Sequence, residues 1–327
     1  MQIFGHLKDI APHETFSLTL GNFDGVHQGH QQLLSSLPQH HKKALITFTP
    51  HPLLILNTSQ NPSFFLLTLQ EEKRRLLKKQ GVDFLIELPF SHNFSQTPAD
   101  LFLKEYLLCH NGLKHIVVGH DFCFGKNRKG DFSLLEATLK KTNITCQQLS
   151  PLKNTQGQTI SSSLIRNLLQ EGNLLAANAL LNYSYFITSP VIHGKKIGRT
   201  LKTPTANITP HPLKLLPKIG TYITQVQIEE GKEKGLSLYP SVTHLGFRPT
   251  VEENNPNPIL SLESHLLNFE GDLYGKNLTI FFCSFLREEK KFSQKEDLIW
   301  QISEDIKQTM TFFEKSSSPI LLDKENK

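Results

Sequence analysis

Two textures in succession predict a two-part chain of class α/β plus all-β. A Rossmann-like parallel sheet covered by helices comes first, and an antiparallel barrel or sandwich with a C-terminal helix follows. In the first half, short apolar runs alternate with segments of helical spacing, the pattern of βα units. In the second half, strand-like runs follow one another across Gly, Pro and Asn turns, the pattern of an antiparallel barrel or sandwich. The length of 327 residues agrees, since a domain averages about 150 residues.

Phe16–Leu20 reads as a strand, followed by a Gly-rich turn and a helix from about His30. Ala44–Phe48 is the next strand, Glu71–Gln80 a charged helix closing at Gly81, and Val82–Leu88 a strand. Pro98–Cys109 reads as a helix, with Leu101, Phe102, Tyr106 and Leu107 at helical spacing, and His115–Val118 as a buried strand. Leu164–Leu181 reads as one further helix. Beyond it, Tyr185–Val191, Gly220–Ile228, Tyr239–Leu245, Ile259–His265 and Leu278–Leu286 read as strands, before a last helix over Gln294–Phe313. The change of texture sets the domains at residues 1–183 and 184–315, with 316–327 as a flexible tail. Ligands are expected at the carboxyl ends of the parallel strands.

Composition narrows the class. The longest apolar runs, such as Leu53–Leu56, fall far short of the roughly 18 residues of a membrane span. Met1–His6 shows no basic stretch ahead of an apolar one, so no secretory signal is expected. The four cysteines form no C-x-x-C pair, which argues against a zinc ribbon or a thioredoxin motif. A soluble, cytoplasmic protein without a membrane partner is expected. The net charge of +5 is diffuse, with 17 basic and 13 acidic residues up to Asn182 and 18 and 17 beyond it. Nucleic-acid binding calls for a concentrated basic stripe, so small polyanions such as nucleotides are the expected partners.

The first chemical constellation is Gly21-Asn22-Phe23-Asp24-Gly25-Val26-His27-Gln28-Gly29-His30, which follows the first strand and opens the first helix. Glycines let a backbone turn sharply near a ligand, and free N–H groups at a helix start attract phosphate. His27 and His30, three apart, can share one helix face and stabilise charge growing on a phosphate. The residues alone also fit a plain Gly turn with two surface histidines, or a metal pair lacking a third ligand. Ser161–Ser163, ahead of an apolar helix, reads as an ordinary N-cap.

The first constellation resembles the HxGH nucleotidylyltransferases, and specifically the adenylyltransferase half of bacterial bifunctional riboflavin kinase/FAD synthetases. Thr47-Phe48-Thr49-Pro50-His51-Pro52, Gly119-His120-Asp121-Phe122-Cys123-Phe124-Gly125 and Ile160-Ser161-Ser162-Ser163-Leu164-Ile165-Arg166 match that family in order. The resemblance implies that Gly21, Phe23, Asp24, Gly25, His27 and His30 hold ATP. It further implies that Asn127 and Asp131 serve a nucleotide or flavin phosphate, and that Ser162, Ser163 and Arg166 face the triphosphate. At the third serine the family more often has Thr; Ser163 keeps the hydroxyl.

The second constellation begins with the basic, Gly-bounded Ser189–Arg199 and leads into Pro204-Thr205-Ala206-Asn207. In an extended backbone Thr205 and Asn207 project to one side, and their oxygens suit Mg²⁺ beside ATP phosphates, although a Pro-Thr turn with an Asn cap also fits. Glu263 lies in an apolar strand pattern, either as a solvent-facing side chain or as a carboxylate with a role. With Leu245–Thr250 and Leu286–Phe292, these segments resemble the riboflavin kinase module, a small antiparallel barrel. The resemblance implies Gly194, Gly198, Arg199, Thr205 and Asn207 on the nucleotide, with Thr205 and Asn207 also on Mg²⁺. It places Arg248, Glu263 and Arg287 on flavin, with Glu263 as the base for the ribityl hydroxyl. The chain departs from the family pattern at Lys202-Thr203, where Gly-Phe is usual, and at Ser189 and His244, where Gly and Asn are usual. These readings lead to an expected pair of reactions, riboflavin to FMN and FMN to FAD, with ATP and Mg²⁺. An adenylyltransferase with a weak, flavin-binding barrel and a flavin-responsive regulator are the rival readings.

Overall fold

The computed structural model describes residues 1–56, 65–192, 204–229, 237–247 and 260–315. By contacts the chain forms two compact units, Met1–Ser162 and Ser163–Lys327.

Among the described residues of the first unit, six strands form one sheet. They are β1 (Gln2–Phe4), β2 (Phe16–Leu20), β3 (Lys42–Thr49), β4 (Phe84–Pro89), β5 (Leu113–Val118) and β6 (Thr145–Gln148), in the order β1-β4-β3-β2-β5-β6. Every pairing is parallel. All five residues of β2 are buried, as expected of a strand covered on both faces. Phe16 and Leu18 pack with Ile46, Ile86, Ile116 and Phe102 in one apolar core. The order reverses at β2, with β3 and β4 on one side and β5 and β6 on the other, which is where parallel sheets open a crevice.

The helices of this unit are α1 (Gln28–Ser35), α2 (Pro52–Leu56), α3 (Gln70–Lys79), α4 (His92–Ser95), α5 (Ala99–Phe102) and α6 (Phe132–Leu139). The helix expected over Pro98–Cys109 is interrupted: α5 gives way to a π-helical turn over Leu103–Leu107, with Leu108 N–H donating to Leu103 O. Phe102 stacks on Tyr106 and meets Phe94 and Phe124, so aromatic packing sets the path of this segment more than helix propensity does.

The single helix expected over Leu164–Leu181 is two, α7 (Ser162–Glu171) and α8 (Leu174–Leu181). Gly172 takes a φ of +83°, which ends α7. Asn173 caps α8, its side chain accepting from Ala176 N–H at 3.3 Å. By contacts both helices cluster in the second unit beyond Ser162. The Asn178 side chain explains part of that: its amide donates to Phe282 O at 2.8 Å and its oxygen accepts from Tyr185 N–H at 2.8 Å.

The second unit contains β7 (Phe186–Ile192), β8 (Ala206–Ile208), β9 (Gly220–Ile228), β10 (Ser237–Phe247), β11 (Leu260–Leu266) and β12 (Asn277–Arg287). Among the described residues they close into a barrel, β10-β11-β8-β7-β12-β9, with antiparallel pairing throughout. Alternation decides what faces inward. Leu262, Ser264 and Leu266 of β11 are buried while Glu263 and His265 are not, and on β10 Ser241, Thr243 and Leu245 are buried while Val242 and His244 are not. The interior is partly polar: hydroxyls of Ser241, Thr224, Thr243 and Ser264 form a chain with separations of 2.7, 2.6 and 2.8 Å. The C-terminal helix, Lys295–Lys315, contacts β10.

Candidate active sites

The first site forms where β2 ends. Phe23, Gly25 and Val26 all have positive φ (51°, 81° and 38°), a conformation that a glycine takes freely and the other two residues take only when held. The holding group is Asp24. It is 3% exposed, and its carboxylate accepts from Leu67 N–H (3.1 Å), Thr68 N–H (2.9 Å) and Thr68 Oγ1 (3.1 Å). Thr68 Oγ1 in turn accepts from Gly25 N–H at 3.0 Å. Thus the predicted ATP residue Asp24 shapes the loop, and Thr68, which sequence reading missed, completes its support.

His27 is the N-cap of α1 and His30 stands one turn on, their rings stacked with centroids 3.7 Å apart. Phe23 stacks on the other side of His30 at 4.5 Å. At Gly29 a Cβ would lie 3.2 Å from His27 Cε1, so the missing side chain gives the imidazole its place. His30 Nδ1 is buried and has no hydrogen-bond partner among the described residues. Burial first, then His27 and Lys73, push the His30 pKa well below 6.5, so its ring is neutral at pH 7 and keeps one N–H donor.

Lys73 is a second residue that the sequence reading did not select. It is 7% exposed on α3, and its ammonium donates to Thr47 Oγ1 (3.1 Å) and Asn22 O (3.3 Å). Burial lowers its pKa while Asp24 and Glu87 oppose that shift. Ser162 Oγ donates to Asp24 O at 2.8 Å, which joins the serine loop to the glycine loop. Gly21 donates its N–H to Ile46 O at 3.1 Å. Asn127 takes a φ of +56° in a short 3₁₀ turn, and Asp131 caps α6 by accepting from Leu134 N–H at 2.9 Å. Ser163 is exposed and Arg166 half-buried on α7, in the second unit.

The second site is a row across the barrel wall, in which Glu263 and His244 are half-buried while Asn207 and Thr221 are buried. Register pairs Asn207 of β8 with Glu263 of β11, Glu263 with His244 of β10, His244 with Thr221 of β9, and Thr221 with Arg287 of β12. Paired residues on adjacent strands are close enough for their side chains to interact. Thr205 lies two residues before Asn207, just ahead of β8. The oxygens of Thr205 and Asn207 are hard donors of the kind Mg²⁺ takes, so the residues present fit that ion. Ser189, a departure from the family pattern, donates its hydroxyl to Thr209 O at 2.9 Å.

Arg287 is already engaged. Its Nε donates to Asp305 Oδ1 and Oδ2 at 3.0 and 3.1 Å, and its Nη2 to Oδ2 at 2.7 Å, fastening the C-terminal helix to β12. Two bulges in the β12–β9 pairing shift the register between Phe282 and Ser284 and between Phe285 and Arg287. Gly194, Gly198, Arg199 and Arg248 lie outside the described residues. No group of three or more His, Cys, Asp or Glu side chains arranged for a metal occurs among the described residues. No helix among them is long and apolar enough to cross a membrane.

Comparison with known proteins follows this division. A family model described as FAD synthetase matches residues 9–164, and one described as riboflavin kinase matches residues 181–313. The bifunctional riboflavin kinase/FMN adenylyltransferase of Escherichia coli K12 is 35% identical over 320 residues, 94% of this chain and 96% of that protein. Its namesake in Bacillus subtilis 168 is 32% identical over 301 residues, 90% and 92% of the two chains. A crystal structure titled as a macrolide-efflux protein from Streptococcus pneumoniae superposes with a TM-score of 0.82 at 26% identity, covering 94% of this chain and 98% of that one.

Proposed function

The chain belongs to the family of bifunctional riboflavin kinase/FMN adenylyltransferases, and from that premise we propose which residues perform each reaction. Residues 1–183 adenylylate FMN, and residues 184–315 phosphorylate riboflavin.

In the barrel, the terminal ribityl hydroxyl attacks the γ-phosphorus of ATP. Its proton passes to the Glu263 carboxylate, the new O–P bond forms, the bond to the β-phosphate oxygen breaks, and ADP leaves. Phosphoryl transfer rests mainly on positioning and electrostatics, and a base adds about 10²–10⁴-fold. Thr205 and Asn207 would hold Mg²⁺, which when bound would neutralise phosphate charge. The observation that carries this reading is the register: Asn207 and Glu263 are direct cross-strand partners. Gly194, Gly198 and Arg199 act on the nucleotide and Arg248 on the flavin. Arg287 acts on flavin at one remove, by fixing the helix through Asp305.

In the first unit, a phosphate oxygen of FMN attacks the α-phosphorus of a second ATP, and pyrophosphate leaves. The nucleophile is already an anion, so no strong base is needed. Gly21, Phe23 and Gly25 shape the nucleotide loop that Asp24 and Ser162 brace. His27 and His30 donate to the triphosphate as charge grows there. Asn127 and Asp131 line the nucleotide or flavin phosphate. The enzyme acts in the cytoplasm on small molecules alone.

Incubation with riboflavin, ATP and Mg²⁺, followed by chromatography, tests the pair. FMN and FAD are the expected products. FAD from supplied FMN with none from riboflavin overturns the kinase half, and no product from either flavin overturns both.

A further inference from the structure

His244 takes no part in the reactions above, yet it stands in the same cross-strand row. Strand register sets it between Glu263 of β11 and Thr221 of β9. Its Nδ1 lies 3.3 Å from Thr221 Oγ1 and its Nε2 3.7 Å from Glu289 Oε1. The ring folds over Gly246, where a Cβ would come within 2.5 Å of His244 Nε2 and 3.2 Å of Glu289 Oε1. The glycine therefore leaves the space that the His244–Glu289 pair occupies.

We propose that His244, held by Thr221 and Glu289, is a positioning residue for the Glu263 carboxylate and makes riboflavin phosphorylation by this chain sensitive to mild acid. The inference rests on Glu263 being the base. A neutral imidazole one cross-strand step away leaves that carboxylate free to accept a proton. An imidazolium there stabilises the carboxylate as an anion, weakens it as a proton acceptor and draws it from the hydroxyl. The charged groups facing His244 are Glu263 from β11, Arg287 from β12, Glu289 just beyond it, and Asp305 from the C-terminal helix. Burial lowers the His244 pKa from 6.5, while Glu289, Glu263 and Asp305 oppose the shift and Arg287 adds to it. The ring is therefore neutral at neutral pH and gains its proton below 6.5. Asn at this position, usual in the family that the sequence resembles, has no proton to gain.

The test is the pH profile of kcat/KM for riboflavin phosphorylation, with FAD formation from supplied FMN as the control for folding. In the parent the acid limb falls about tenfold per pH unit once His244 is protonated. His244→Asn removes this limb. Glu289→Gln takes away the strongest group holding the His244 pKa up, so its limb moves to lower pH. Glu289 is half-exposed, so this variant decides the matter even where His244→Asn fails to fold. Profiles of both variants that superpose on the parent overturn the proposal. Parent-like turnover by Glu263→Gln overturns it by a different route, by removing the base itself, whatever the other two profiles show.

Discussion

In the N-terminal unit the glycine–histidine loop is contiguous: ten residues leave one strand, turn through three positive-φ positions and enter one helix. In the barrel, Asn207, Glu263, His244, Thr221 and Arg287 come from five different strands and meet only through register. The first arrangement depends on buried polar braces, Asp24, Thr68 and Lys73, behind a short loop. The second depends on every strand holding its place. Loops braced from behind fail locally, whereas a row across strands fails when any one strand shifts.

The largest effect should separate the two regions by chemistry. Glu263→Gln keeps the side chain's shape but removes its proton acceptor, so FMN formation should fall by about 10²–10⁴-fold. FAD formation from supplied FMN should be unchanged; loss of both activities in a folded variant breaks the division. The reciprocal change, His30→Ala, should lower FAD formation by about 10²–10³-fold with riboflavin phosphorylation retained. Undiminished FAD synthesis would make the stacked pair a packing feature only.

Stability should separate them next. Asp305→Ala leaves Arg287 without its buried partner, a loss of about 3–5 kcal/mol. Denaturant melts followed by Trp300 fluorescence on the C-terminal helix should show the barrel unit unfolding earlier, with adenylylation persisting after the kinase is lost. The smallest effect concerns acid. The folded state holds His30 neutral, so the unfolded chain binds its proton more readily. Stability of the first unit should therefore decline as pH falls below 6.5 toward the depressed pKa of the folded state. In His30→Gln that part of the decline should vanish, as differential scanning calorimetry across pH would show.

The contrast also explains what could be read in advance. β2 and β9 match the expected strands residue for residue, because apolar residues at every second position beside a Gly are a strong local signal. The short strands β1, β6 and β8 gave no such signal, at three or four residues each. The break between α7 and α8 turns on Gly172 and Asn173, a C-cap followed by an N-cap that the apolar spacing on either side obscured. The histidine loop was legible because it is contiguous. Lys73 was not, since a lysine among charged helix neighbours reads as solvated until tertiary packing buries it. Thr221, Glu289 and Asp305 lie far from His244 or Arg287 in the chain's pattern of motifs, and only strand register and helix docking bring them together.

The hydroxyl chain inside the barrel has a consequence for assembly. Ser241, Thr224, Thr243 and Ser264 satisfy one another only when β9, β10 and β11 are aligned as they stand. A slip of β10 by one residue would send its two hydroxyls outward and leave Thr224 and Ser264 buried without partners. The four side chains thus serve as a key that penalises mispaired strands before the ring closes. They guard the alignment of Thr221, His244 and Glu263 across the same three strands.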